Sequence, residues 1–479
     1  MKNLMLGLLV LFCLGFINGY SQSRQEAKML EKMIANCVEK AMVTSVYIIE
    51  WDTLKNKVQD GIEEANGFTG VVVSAEGHIL TASHAAMPNQ VYQISFPDGN
   101  KHIAVGLGRI GIQDKETDYD MAMIKIQKPG NWSFAKIAPS TQLKIDQPVI
   151  SISYPGAFFK ALPNVRYGRI SDLDLSDGFI VSSAKMEPGD SGGPLFDQYG
   201  RVVGIHSWIK EPEDQNYDIP VDHFLKYWTA LNIAKDYTSF PVADVLPATA
   251  NSLTVTVVPT LKDVATISAK GLKTVVTLIS TREKQQVSIL GTLIDYGNAR
   301  YIVSKASMVF ANPLLKIGDR TISVQVVKRD RERDLVLLNV AGHLNNGIKI
   351  KANAKNPVLK TSDLGKILIT ALPKDSTGVG VLSATYTDIP LVSEGYVESQ
   401  PTVRHVSFDY PGGKSTRSDG FKDVLVHDAA IKAAECGSPV FDIAGDFYGI
   451  NIARRSRTSC ILIPVAALAK FITENINNY

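Results

Sequence analysis

A hydroxyl is a poor nucleophile at neutral pH because its proton must leave as it attacks. Three parts overcome this: an adjacent imidazole as base, a carboxylate that orients the imidazole, and N–H donors placed where a carbonyl oxygen becomes negative. The chain holds residues of each type. Gly189-Asp190-Ser191-Gly192-Gly193-Pro194 is a glycine-rich loop around a serine, and its glycines let the backbone turn tightly enough to aim successive N–H groups inward. Ser191 is the candidate nucleophile, with the N–H groups of Gly189 and Ser191 as the candidate oxyanion hole. His84 closes the run Leu80-Thr81-Ala82-Ser83-His84, just past an expected strand, and Asp120 stands directly before the apolar run Met121 to Ile126. Taken singly, His84 also reads as a surface or core histidine and Asp120 as a turn residue that starts a strand.

These residues need a scaffold. From Val43 onward the texture is short β-branched runs broken by Gly, Pro, Asn and Asp, the pattern of an antiparallel barrel or sandwich. GFTGVVVSAEGHILTASHA, starting at Gly67, reads as strand, tight turn at Ala75-Glu76-Gly77, strand, and a helical turn from Ala82. FDQYGRVVGIHSW is a hairpin turning at Tyr199-Gly200, and YDIPVDHFLKYWTALNIA a short strand followed by a helix. Residues 24–42 place apolar and charged positions at helical spacing without Gly or Pro, which predicts an amino-terminal helix.

The same words then recur in the same order. GTLIDYGNARYIVSKAS repeats GVVVSAEGHILTASH, RDLVLLNV repeats YDMAMIKI, ECGSPVFDIAGDFYGI repeats DSGGPLFDQYGRVVGI, and LIPVAALAKFITENI repeats DIPVDHFLKYWTALN. Four matched segments imply tandem domains of one fold; a single large β-domain is the competing reading. The boundaries expected are 22–235 for the first domain with its amino-terminal helix, 236–253 for a polar, proline-containing linker, and 254–479 for the second domain.

Residues 1–21 read as a signal peptide: Lys2, the apolar stretch Leu4 to Ile17, and small Gly19 and Ser21 at the cleavage positions. An uncleaved anchor is the alternative. No later segment approaches the length of a membrane-spanning helix, so the expectation is an exported protein, periplasmic or extracellular, without stable membrane insertion once the signal is cut. The net charge of +2 over 479 residues gives no footprint for nucleic acid. Cys37, Cys436 and Cys460 remain after cleavage, which in an oxidising compartment allows one disulfide and leaves one thiol over. No Cys/His cluster has metal-ligand spacing, so no metal site is expected.

His84, Asp120 and Ser191, in that chain order and with GDSGGP intact, resemble the chymotrypsin-like (trypsin-fold) serine peptidases. GVVVSAEGHILTASHA and YDMAMIKI are similar, more narrowly, to the HtrA-type protease domain, and the resemblance covers about residues 38–235. No PDZ-like segment follows, and no Ile-Val-Gly-Gly start follows a basic residue. The resemblance implies an all-β chain of two tandem double-β-barrel domains, each ending in a helix. It implies hydrolysis of peptide bonds in proteins or peptides through an acyl-enzyme on Ser191, with His84 as base then acid, Asp120 orienting it, and no cofactor. It also implies that the strand His206-Ser207-Trp208 runs along the substrate and that Lys185 lies near the base of the primary pocket. Two cations there would favour Glu or Asp before the scissile bond; the competing reading makes His206 a packed strand residue and turns Lys185 to solvent.

Carried across to the second domain, Ser307 stands in place of His84, Asp334 of Asp120, Cys436 of Ser191 and Ala434 of Gly189. Without an imidazole there is neither base nor acid for the leaving amine, so this copy is read as a pseudoprotease. Lys305, two residues from Ser307, is the remaining candidate base. In this fold Cys460 falls close to the pocket, and a Cys436–Cys460 disulfide would account for both thiols, contributing about 3 kcal/mol in the loop-entropy picture. The rival to a peptidase is an exported binding protein in which both domains are inactive. The sequence does not fix the oligomeric state.

Overall fold

The computed structural model describes residues 25–58, 67–113, 118–155, 162–173, 178–210, 212–245, 269–340, 344, 347–355, 363–373, 377–389 and 413–476. The expected signal peptide lies outside them. The amino-terminal helix forms as predicted, over residues 25–41 (α1). Ala27, Leu30, Ile34, Cys37, Val38 and Ala41 are all buried, the three-and-four spacing that puts one apolar stripe on one face.

In the first half the strands are β1 (Ser45–Asp52), β2 (Lys57–Val58), β3 (Phe68–Val72), β4 (His78–Thr81), β5 (Val91–Ser95), β6 (Lys101–Gln113) and β7 (Asp118–Ile126), then β8 (Pro148–Ser153), β9 (Asn164–Asp172), β10 (Ile180–Ser182), β11 (Pro194–Asp197), β12 (Val202–Ile209) and β13 (Asn216–Pro220). β14 (Asp236–Tyr237) follows two short helices, α2 (Val221–Lys226) and α3 (Trp228–Leu231). β1 to β7 and β14 build one eight-stranded sheet, ordered β14-β6-β5-β1-β3-β4-β7 with β2 paired to β1, which the additional β6–β7 pairing rolls up; β10-β13-β12-β11-β8-β9 closes into a second barrel. Closure removes the free edges that an open sheet would expose.

The second half repeats this. A short α4 (Ala269–Leu272) precedes β15 (Val275–Arg282), β16 (Gln285–Tyr296), β17 (Ala299–Lys305), β18 (Ala311–Ile317), β19 (Arg320–Ser323), β20 (Gln325–Asp330), β21 (Leu335–Asn339) and β22 (Ile348–Lys349). β23 (Ile367–Ala371), β24 (Thr377–Ile389), β25 (Phe421–His427), β26 (Pro439–Asp442), β27 (Phe447–Arg454) and β28 (Cys460–Pro464) then close a barrel in the order β23-β24-β25-β28-β27-β26, and α5 (Val465–Ile476) ends the domain. Tandem copies of one β-fold, each finishing in helix, are what the repeated words predicted.

Like elements meet where the halves join: β9 packs against its counterpart β24, and the Tyr167 N–H of β9 donates to the carboxylate of Asp428, 3.0 Å away beyond β25. α1 wedges into the same seam. Its Leu30, Ile34 and Val38 share one core with Phe196 and Val202 of the first domain and Leu364, Ile367 and Ile369 of the second. Glu31 accepts the Ile367 N–H at 3.0 Å. Gly365 has φ +87°, and a Cβ there would lie 2.5 Å from the Ile34 side chain.

The expected linker behaves otherwise than as a spacer in its described part. Residues 236–245 strap back over the first domain: β14 pairs in parallel with β6, Asp244 accepts the Thr229 N–H at 2.8 Å, and Phe240 packs edge-on to Tyr119 at 4.7 Å. Polar composition hid three specific contacts. Because Ile34 is wholly buried where three elements meet, Ile34→Ala is expected to cost about 2–5 kcal/mol, read as a lower urea midpoint at unchanged slope.

Candidate active site

β4 ends at Thr81 and hands the chain to Ser83 and His84, while β7 brings Asp120 alongside. The Asp120 carboxylate takes four hydrogen bonds. Oδ1 accepts the His84 N–H at 2.9 Å and the Ser83 hydroxyl at 2.7 Å; Oδ2 bonds the His84 Nδ1 at 2.7 Å and accepts the Ser207 hydroxyl at 2.6 Å. Burial alone would push this carboxyl up, but the His84 hydrogen bond and charge, with Ser207 and Ser83, outweigh it and hold the pKa below the usual aspartate value. The His84 ring is about half exposed. Desolvation pulls its pKa down, and the Asp120 hydrogen bond and charge more than compensate, leaving it raised above 6.5. With Nδ1 engaged by Asp120, Nε2 is the nitrogen left for proton transfer.

The Ser191 loop comes from the second barrel and is pinned to the first by its carbonyls. Thr69 of β3 donates its N–H to the Ser191 oxygen at 3.0 Å and its hydroxyl to the Gly189 oxygen at 2.9 Å. Gly189 and Gly192 have φ of +97° and +80°, and a Cβ on Gly192 would fall 1.9 Å from the Thr81 hydroxyl, so only glycine fits. Among the described residues, the N–H groups of Gly189 and Ser191 donate to no protein acceptor, as donors reserved for a substrate oxygen would.

Beneath the loop, Asp190 is buried against Arg166 of β9, both side chains at most 1% exposed. One guanidinium nitrogen reaches Oδ1 at 2.7 Å, the other bonds Oδ2, and Ser153 and the Glu187 N–H add bonds of 2.8 Å each. Arg166 also donates to the Lys185 carbonyl at 2.9 Å. This internal cation neutralises Asp190 without a newly cut amino terminus. Arg166 was missed from the sequence, although a lone arginine inside the apolar strand Asn164-Val165-Arg166-Tyr167 is a readable signal, since arginine is rarely buried unless paired.

Residues 68–205 match the family of the trypsin-like peptidase domain. This stretch is a trypsin-like peptidase domain of HtrA type. The chain is 30% identical over 159 residues to the periplasmic serine endoprotease DegP of Escherichia coli K12, covering 32% of each. It is 28% identical over 155 residues to a probable periplasmic serine endoprotease, DegP-like, of Bartonella henselae, covering 32% of this chain and 29% of that one. It thus spans about a third of the length of the curated relatives it matches. A serine endoprotease structure from Yersinia pestis aligns at 23% identity and a TM-score of 0.35, over 41% of this chain and 66% of that one.

In the peptidase domain the two expected pocket cations are engaged elsewhere. The His206 ring is fully buried, with Nδ1 2.5 Å from Asp218 Oδ1 and Nε2 2.7 Å from the Ser151 hydroxyl. It is a packed strand residue whose nitrogens are both occupied. Lys185 turns neither into a pocket nor to solvent: its ammonium pairs with Glu213 at 3.1 Å and donates to the Asp428 carbonyl of the second domain at 2.9 Å. Ser207, expected as a substrate contact, spends its hydroxyl on Asp120. Trp208 is 36% exposed and stacks on Tyr217 at 3.9 Å, with Phe179 edge-on at 5.8 Å, so this wall is aromatic.

The degenerate site is sealed. Ser307 reproduces the backbone contact of His84, its N–H 2.6 Å and its hydroxyl 2.8 Å from the Asp334 carboxylate. Lys305, wholly buried, gives its three N–H donors three acceptors: Asp334 at 2.8 Å, the Ile452 carbonyl at 2.8 Å and the Arg417 carbonyl at 3.0 Å. Cys436 is fully buried, and burial, against the pull of Lys305, pushes its thiol pKa up. The expected Cys436–Cys460 bridge is not formed. Both are free thiols, Cys436 near the Ser415 hydroxyl at 3.7 Å and Cys460 donating to the Ala429 carbonyl at 3.3 Å; each sulfur has its own partner. Cys37 is also free and buried, as expected of the third thiol.

Three outcomes follow. Since His84 must be neutral to accept a proton, kcat/KM should rise with pH through a midpoint above 6.5; Asp120→Asn should shift that limb downward and lower kcat by about 10⁴-fold. Arg166→Ala leaves a buried carboxylate unpaired, and should cost about 3–5 kcal/mol in denaturant titration together with most of the activity. Thiol counting on denatured, unreduced protein should return a free thiol at each of Cys37, Cys436 and Cys460.

Proposed function

We propose that this protein is an exported serine endopeptidase, with the second domain catalytically inactive. The observation that carries the reading is the hydrogen-bonded His84–Asp120 pair on one barrel facing a Ser191 loop on the other whose Gly189 and Ser191 N–H groups are unspent. In this reading Ser191 Oγ attacks the peptide carbonyl while its proton passes to His84 Nε2. The oxyanion takes the two N–H donors, the imidazolium protonates the leaving amine, and water then releases the acyl group with His84 again as base. Asp120 holds the ring and stays ionised. The names of the relatives, periplasmic serine endoproteases, support export and peptide substrates.

With His206 tied to Asp218 and Lys185 to Glu213, an acidic preference lacks a free cation at these two positions. Phe179, Trp208 and Tyr217 instead support apolar side chains near the scissile bond. A serine-reactive fluorophosphonate should label wild type and not Ser191→Ala, whose thermal midpoint should lie within about 2 °C of wild type. Mass mapping of cleavage in a proteome-derived peptide mixture should give mainly apolar residues before the cut; a majority of Glu or Asp would restore the acidic reading. Folded wild type that does not label would favour the binding-protein alternative.

A further inference from the structure

The loops that border the pocket of the peptidase domain are held by the other domain. The β27–β28 loop reaches across the seam onto the matching loop between β12 and β13. The Arg457 guanidinium donates to the carbonyls of Lys210 at 2.7 Å and Pro212 at 2.8 Å, and to Asn216 Oδ1 at 3.3 Å. Asn216 in turn accepts the Met186 N–H at 3.0 Å and donates to the Ser182 carbonyl at 3.0 Å. One side chain therefore fixes both ends of the turn that follows the aromatic wall and, through Asn216, the stretch leading to Ser191. Arg454, buried to 2%, bonds the Glu213 carboxylate that also pairs with Lys185. The buried Glu187 carboxyl, four residues before the nucleophile, has its pKa raised by burial and by Asp190, an effect that the Ser456 and Thr458 hydroxyls of the other domain and Arg166 partly offset.

We propose that Arg457, supported by Arg454, is a positioning residue for the peptidase, so that the inactive domain works as a built-in part of the pocket. This rests on the peptidase reading above. Among the described residues, the turn at 212–216 is held from within by bonds of 3.1 Å from Lys210 N–H to the Gln215 carbonyl and from Gln215 N–H to that of Pro212, by Asn216 Nδ2 on the Glu213 carbonyl at 2.9 Å, and by the pairing of Asn216 with Ile209 at the end of the β12–β13 ladder. A planar fork of donors that spans two carbonyls and a side-chain oxygen can hold it in one shape, whereas a flexible ammonium reaches fewer of them at once. None of these contacts touches His84, Asp120 or Ser191. The effect should therefore fall on substrate binding and not on the bond-making step.

The test uses the full chain with Arg457→Ala and Arg457→Lys. Loss of charge-assisted bonds at a binding wall should raise KM of Arg457→Ala by about tenfold with kcat within about threefold, and Arg457→Lys should recover part of it. Labelling by a fluorophosphonate too small to fill the pocket should proceed at the wild-type rate, and amide exchange over 212–216 should quicken. Unchanged KM and exchange in Arg457→Ala, beside an active wild type, would overturn the proposal alone. So would an equal fall in kcat, labelling and thermal midpoint, which marks a merely structural role. A wild type that does not label would overturn the peptidase reading, and the positioning role with it.

Discussion

The buried pair of Arg166 and Asp190 is the constraint on which the nucleophile loop depends. A carboxylate taken wholly out of water next to Ser191 is tolerable only if a cation and further donors meet it, and Arg166, Ser153 and the Glu187 N–H do so. Such a pair need not add net stability over apolar residues of the same volume. What it does is fix position: a bidentate fork tolerates one orientation of the carboxylate, and that orientation sets the backbone from Glu187 to Gly193, hence where Ser191 points. Because the cation is a strand residue of the same barrel, the loop is organised as soon as that barrel folds.

A second constraint crosses the cleft. The candidate triad is split between barrels, so the distance from His84 to Ser191 is only as reliable as the contact between them. Thr69 and Thr81 from the first barrel press on Gly189, Ser191 and Gly192 of the second, while Ser207 reaches back to Asp120. Each crossing uses a short side chain or a glycine, which lets the backbones approach closely and lose little side-chain entropy on ordering. The carbonyls of Gly189 and Ser191 are consumed in these crossings and their N–H groups are not, which is the polarity that stabilising an oxyanion requires.

Much of this was legible in the sequence, and the reasons differ by residue. The His84–Asp120 pair and the turn of the GDSGGP loop were readable because chemistry dictates both residue type and local backbone, and the tandem fold because its words recur. α1 was readable from its stripe, but its role as a wedge between domains was not, since nothing local marks Ile34 as touching Ile367. The pocket misled for the same reason. His206 and Lys185 are basic residues at the expected positions along the chain, yet their partners, Asp218, Ser151, Glu213 and Asp428, are brought in by the closing of a barrel and by the second domain. Partner identity is a tertiary fact that spacing along one segment does not carry. The thiols fall under the same limit: proximity inferred from the fold put Cys436 near Cys460, but each sulfur is oriented to a different neighbour.

The second domain shows which features of such a site are separable. Asp334 keeps the hydrogen bonds that Asp120 makes to the backbone, now through Ser307, so the turn geometry survives without the imidazole. The space and charge are taken over by Lys305, whose ammonium exchanges an exposed catalytic partner for a closed set of three acceptors. Where Asp120 has an exposed imidazole as partner, Asp334 is half of a buried ion pair, and Cys436 is wholly buried with its thiol pKa pushed up. Around this closed set of contacts the barrel and the loop after its strand β27 remain well formed. That loop carries Arg457, and Arg454 precedes it at the end of β27; Arg457 reaches Lys210, Pro212 and Asn216 of the first domain, while Arg454 bonds both Glu213 there and the Ile431 carbonyl of its own domain. The tie between the two copies is thus made by their matching loops, β27–β28 of one against β12–β13 of the other.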